Sequence, residues 1–79
     1  MSVDSKIQYR CRRGLLELDV ILSRFLSASL LQLTEGEKKD LLRLLDFPDP
    51  ELLQLVLQET QSKEPALQRL LLKISVYSA

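Results

Sequence analysis

The sequence predicts an all-α fold, a compact bundle of five short antiparallel helices in a single domain spanning residues 1–79. Three observations carry this expectation. Leucine dominates the apolar content while Val, Ile and aromatics are few, a mix that favours helix over sheet. Apolar residues recur at steps of three and four through most of the chain. Helix boundary signals fall at Gly14, Thr34, Asp49-Pro50 and Pro65. A chain of 79 residues buries only about 60% of its unfolded surface, so no helix is expected to stand alone.

Ser5 with Gln8 three residues on reads as a capping box for the first helix, with Ile7 and Cys11 on its apolar side. Gly14 weakens helical continuity and marks the break into the second helix. There Leu15, Leu18, Leu22 and Phe25 form the apolar stripe, with Ile21 and Leu26 beside it. Ser27, Ala28 and Ser29 provide the exit, and Leu30, Leu31 and Leu33 are expected to pack as the chain turns. Thr34 and Glu37 form the clearest capping box and open a third helix carrying Leu41, Leu42, Leu44 and Leu45; Gly36 in its first turn is a small local cost.

Phe47-Pro48-Asp49-Pro50 stops that helix and starts the next, with Asp49 as N-cap and Pro50 at the first helical position. The fourth helix is expected to bury Leu52, Leu53, Val56 and also Leu55. Residues 60–64 read as a polar loop. Pro65 begins the fifth helix, with Leu67, Leu70, Leu71 and Ile74 at core spacing. The final residues, including Tyr77, are expected to fray. No internal repeat of fixed period and no sustained heptad is present.

Charge is balanced overall but unevenly placed. Residues 1–13 carry Lys6, Arg10, Arg12 and Arg13 against Asp4 alone, whereas residues 34–64 carry eight carboxylates against four cations. Such a dipolar chain could steer onto an oppositely patterned partner, but its zero net charge gives no general pull toward nucleic acid or membrane. Cys11 is the single cysteine, so an internal disulfide is impossible. It reads as a small packed apolar residue; a redox role would need a depressed pKa, which the nearby Arg10 and Arg12 could favour. No apolar run is long enough to span a bilayer and no hydrophobic signal region opens the chain. The expectation is a bacterial cytoplasmic protein, with the mitochondrial matrix as the less favoured location.

Several chemistries lack their usual residues. There is no histidine, hence neither the commonest general base nor a Cys–His nucleophile pair. No cluster has metal-ligand spacing, and two glycines cannot build a phosphate-cradling loop. The expectation is therefore no enzyme: no catalytic residue, no metal and no cofactor of its own.

The most informative string is Arg12-Arg13-Gly14-Leu15-Leu16-Glu17-Leu18-Asp19. On a continuous helix Arg13 and Glu17 would meet on one face, an ordinary surface pair contributing about 0.2–0.5 kcal/mol. Glycine between them removes a side chain where a partner's backbone could approach. The string resembles the Arg-Gly-x-x-Glu signature of the succinate dehydrogenase flavinylation factors of the SdhE type, small helical assembly proteins. The resemblance runs on through Phe25, the Thr34-Glu35-x-Glu37 opening, Asp49-Pro50-Glu51-Leu52 and a closing amphipathic helix over 65–75. One departure is Leu55, at a place where many members carry tryptophan.

The resemblance implies a factor that promotes covalent attachment of FAD to the flavoprotein subunit of succinate dehydrogenase or fumarate reductase. It implies a partner-binding surface of Arg13, Gly14 and Glu17, with Arg12 and Asp19 as secondary candidates. The FAD belongs to the client, as does the histidine that bonds it, and the factor contributes positioning. The free protein is expected to be a monomer that binds neither nucleic acid nor membrane. Two other classes stay open: a helical interaction adaptor or antitoxin-like protein, which the family resemblance also implies, and a small nucleic-acid-binding domain built on the Lys6–Arg13 basic stretch.

Overall fold

The computed structural model describes residues 2–78. Five helices follow in order: α1 (Val3–Arg10), α2 (Leu16–Ser29), α3 (Glu35–Leu44), α4 (Asp49–Val56) and α5 (Pro65–Ser75), with 3-10 turns at Leu30–Gln32 and Val76–Ser78. No strand occurs among the described residues. The core gathers Ile7 and Cys11 with Leu18, Ile21, Leu22 and Phe25 of α2. From the second half it takes Leu41, Leu44 and Leu45, then Leu52, Leu55 and Val56, and all four expected leucine and isoleucine positions of α5. Helix α5 is central: it packs on α2, α3 and α4, while α1 packs on α3.

Local chemistry explains most boundaries. Thr34 accepts a hydrogen bond from the Glu37 amide, and the Glu37 carboxylate accepts one from the Thr34 amide, so both halves of the capping box form. Pro50 and Pro65 lie in the first turns of α4 and α5, where a missing N–H costs nothing.

Several expectations need correction. Helix α1 is capped by Ser2, whose hydroxyl accepts from the Ser5 amide, so it begins before the expected Ser5–Gln8 box. Asp49 is the first residue of α4 rather than its N-cap, and its carboxylate is engaged elsewhere. Leu31 does not pack: it is 95% exposed, because the 3-10 turn points it outward while Leu30 and Leu33 go in. In α4 Leu55 is buried and Leu53 only partly so. Tyr77 does not fray. Its ring meets Phe25 edge-on at 6.0 Å between centroids, placing the Val76–Ser78 turn against α2. Ala79 lies outside the described residues.

The uneven charge of the sequence is largely paired within the fold. Arg10 bonds Asp46, Arg13 bonds Asp49 at 2.6 Å and Lys38 bonds Asp4 at 2.8 Å. Together they tie α1 and the segment just after it to α3, to the α3–α4 turn and to the start of α4.

Candidate functional site: the joint between the first two helices

Helix α1 ends at Arg10 with Cys11 as its C-cap, and α2 begins at Leu16. The signature therefore straddles a joint, and Arg13 and Glu17 do not face each other along a continuous helix. Gly14 sits at φ +84°, a conformation that L side chains rarely adopt, which is the local reason for glycine there. No atom lies within 4 Å of where its Cβ would stand. The position is open to solvent, and the backbone is bare on that side.

Helix α2 has an apolar N-cap, Leu15, which offers no side-chain hydrogen bond. The carboxylate of Asp19, one turn into the helix, reaches back instead. Its two oxygens accept from the amides of Arg13 at 2.8 Å and Gly14 at 3.1 Å. A carboxylate in the first turn of a helix is also favoured by the helix dipole.

Arg13 turns inward. Its side chain is only 14% exposed. The Nε donates to Asp49 Oδ1 at 2.6 Å, Nη1 to the Leu45 carbonyl at 2.6 Å and Nη2 to the Phe47 carbonyl at 2.7 Å. Nη1 also reaches the Arg10 carbonyl at 3.5 Å. The planar fork thus binds backbone carbonyls just past the end of α3 and the first carboxylate of α4 together, a use for which arginine geometry is suited.

The remaining signature positions point outward. Arg12, Gly14 and Glu17 are exposed, and the Glu17 side chain makes no hydrogen bond or ion pair among the described residues. Leu16 beside it is 78% exposed, and Tyr9 on α1 is also well exposed. A groove of about 700 Å³ runs alongside, lined by Gln8, Arg12, Gly14, Ser23 and Ser27 among others. The structure therefore brings the five expected residues into one joint but splits them by direction: Arg13 and Asp19 inward, Arg12, Gly14 and Glu17 outward. Sequence reasoning missed Asp49 and the Leu45 and Phe47 carbonyls, which lie 32 to 36 residues from Arg13. The only signal for them was the basic start of the chain opposite the acidic middle.

Cys11 lies beneath the joint, buried in the core. Burial pushes its thiol pKa up from 9.0 to about 12, outweighing the lowering by Arg13 and Arg10, and Asp19 raises it further. The thiol is neutral across the physiological range and unsuited to nucleophilic work. Among the described residues no group of three or more His, Cys, Asp or Glu is placed to hold a metal ion. No helix among them is long and apolar enough to cross a membrane.

Residues 5–78 match a family described as the flavinator of succinate dehydrogenase. The chain belongs to this family. The FAD assembly factor SdhE of Coxiella burnetii is 38% identical over 74 residues, which cover 94% of this chain and 90% of that protein. The SdhE of Photobacterium profundum is 37% identical over 62 residues, covering 78% of this chain and 70% of that protein. The Haemophilus ducreyi SdhE is 33% identical over 69 residues, covering 87% and 84%. No solved structure matches the chain at a significant level.

Proposed function

We propose that this protein is a non-enzymatic assembly factor that binds the flavoprotein subunit of succinate dehydrogenase, or of a fumarate reductase, and promotes covalent attachment of FAD to it. The observation that carries this reading is a flavinator-family match running through residues 5–78, over a fold that presents Gly14 and Glu17 on one exposed joint. The partner-binding surface comprises Gly14, Glu17 and Arg12, backed by Arg13 and Asp19. A bare glycine backbone lets a client surface come close, and Glu17, unpaired in the free protein, is available to a cationic or N–H group of the client. The factor holds the client in a bond-competent arrangement, and the reacting groups are the client's own. It works as a cytoplasmic bacterial protein, carries no cofactor itself and is monomeric when free.

The test is covalent flavin fluorescence on the flavoprotein subunit in cells with and without this protein. Restoration of the fluorescent band by the wild type supports the reading. An unchanged band in cells lacking the protein overturns it.

A further inference from the structure

Of the five expected residues, Arg13 and Asp19 face the protein while Arg12, Gly14 and Glu17 face solvent, and their chemistry differs accordingly. The Arg13 guanidinium has five N–H donors. Its Nε, Nη1 and Nη2 are all bonded to acceptors in this chain, at Asp49, Leu45, Arg10 and Phe47. The Asp19 carboxylate has both oxygens on backbone amides of the joint. Either group would meet a partner in full only by leaving these bonds, since four of the five Arg13 donors are taken within the chain and each Asp19 oxygen already holds an amide. Glu17, by contrast, has none to leave.

From this geometry we infer that Arg13, Asp19 and Asp49 are positioning residues that lock the joint with Gly14 outward, and that Gly14, Leu16 and Glu17 make the contact with the client. The inference rests on the proposed function for the identity of that client. It adds Asp49, a residue of α4 outside the signature, and it removes Arg13 from the contact surface. The Arg13 fork fixes the loop against the end of α3 and the start of α4, and Asp19 fixes the same loop against α2. Two independent anchors on a short loop leave little conformational freedom to be lost when the client binds. Leu16 then supplies apolar area beside a polar contact, the usual pairing at an interface centre.

The decisive experiment measures affinity of the purified flavoprotein subunit for the wild type and for Arg13→Ala, Asp49→Asn, the Arg13→Ala/Asp49→Asn double variant and Glu17→Ala. Circular dichroism checks each fold, and amide exchange at Gly14 is followed in the free protein. Asp49→Asn keeps size and an acceptor oxygen, so it tests the charged contact in a folded chain even if Arg13→Ala is too unstable. Arg13→Ala and Asp49→Asn should each weaken binding, by about tenfold for the former, with faster Gly14 exchange. The double variant should be no weaker than Arg13→Ala, because both act through one contact. Glu17→Ala should weaken binding with Gly14 exchange unchanged, and its loss should multiply with that of Asp49→Asn.

Wild-type affinity in Asp49→Asn together with a large loss in Arg13→Ala would overturn the inference, since Arg13 would then be meeting the client directly. Unchanged Gly14 exchange in Arg13→Ala would overturn it as well. Absence of binding by the wild type itself would instead bring down the functional reading, and with it the assignment of the client contact.

Discussion

Among the described residues two joints contain a residue with positive φ, and they are built on different principles. At the first, between α1 and α2, the residue is Gly14 at +84°; at the second, after α4, it is Gln58 at +62°. The second joint closes helix α4 in the Schellman manner: the Glu59 amide donates to the Gln54 carbonyl at 2.9 Å and the Gln58 amide to the Leu55 carbonyl at 3.1 Å. Neutral side chains complete it, with the Gln58 amide group bonded to the Leu55 carbonyl and to Gln68. All its partners lie within ten residues along the chain. The first joint is held by charges from far away in sequence, through Arg13 to the α3–α4 turn. A connection that only reverses the chain can be closed by local backbone bonds. The first joint, which presents a bare glycine, is braced from two sides, and the proposed client surface lies on it.

The largest expected effect follows from the brace. Arg13→Ala strands Asp49 and the Leu45 and Phe47 carbonyls at a partly buried site, and should cost about 2–3 kcal/mol of stability. Gln58→Ala removes two neutral hydrogen bonds and should cost about 1 kcal/mol. Urea titrations of both variants compare the joints directly. Equal losses would mean that the charged brace is no stronger than the amide one.

Next comes Gly14→Ala. There is room for the methyl group, so any loss is one of backbone conformation, about 1–2 kcal/mol. This separates conformation from bulk, which Gly14→Arg cannot do because it changes both. If covalent flavin on the client falls much further for Gly14→Arg than for Gly14→Ala at matched stability, the open space above Gly14 is where the client sits. Equal loss in the two would place the effect in the loop's shape alone.

The same contrast shows what the sequence makes legible. Local signals were readable: the Thr34–Glu37 box, Pro50, Pro65 and the apolar spacing of α2 and α5 all act over one or two turns. Gly14 was readable as a joint, and family resemblance pointed to Arg13, Gly14 and Glu17. The inward turn of Arg13 was not readable, because its acceptors are two backbone carbonyls and a carboxylate more than thirty residues away. Asp49 looked like an N-cap for the same reason, since nothing local shows that its carboxylate is taken by Arg13. The Schellman closure was hidden as well, because its αL position is filled by Gln58 instead of glycine or asparagine. Leu31 illustrates the opposite error: an apolar residue in an apolar run is expected inside, and only the 3-10 geometry turns it out.

Cys11, under the first joint, should have a smaller effect. Cys11→Ala leaves a small void and should cost about 1 kcal/mol at pH 7, with covalent flavin on the client nearly unchanged. The pH dependence has a definite sign. The thiol ionises near 9.0 when unfolded and near 12 when folded, so its contribution to stability is whole below pH 9 and is lost as pH rises from 9 toward 12. Wild type should therefore lose stability over that window faster than Cys11→Ala. A thiol-reactive dye should label the folded protein slowly at pH 8 and rapidly only in urea. Fast labelling under native conditions, or loss of flavinylation in a folded Cys11→Ala, would give the thiol a role that burial denies it.

The smallest effect is expected from Gln58→Gly, and it tests the comparison most closely. Three contributions oppose one another. Glycine relieves the left-handed strain of a residue with a side chain, worth about 1–2 kcal/mol. It also raises the entropy of the unfolded chain, which costs about 0.4–1 kcal/mol. The loss of the Gln58 amide bonds to Leu55 and Gln68 costs about 1 kcal/mol more. The net should lie within about 0.5 kcal/mol of wild type, and flavinylation should not change. If the joint after α4 serves only to turn the chain, its αL position accepts glycine freely, whereas at the first joint leaving glycine for alanine is expected to cost about 1–2 kcal/mol. A melting temperature near that of wild type, with full covalent flavin on the client, is the expected result. A loss approaching that of Arg13→Ala would show that Gln58 braces the second joint as firmly as Arg13 braces the first, and the distinction between a working joint and a connecting one would fail.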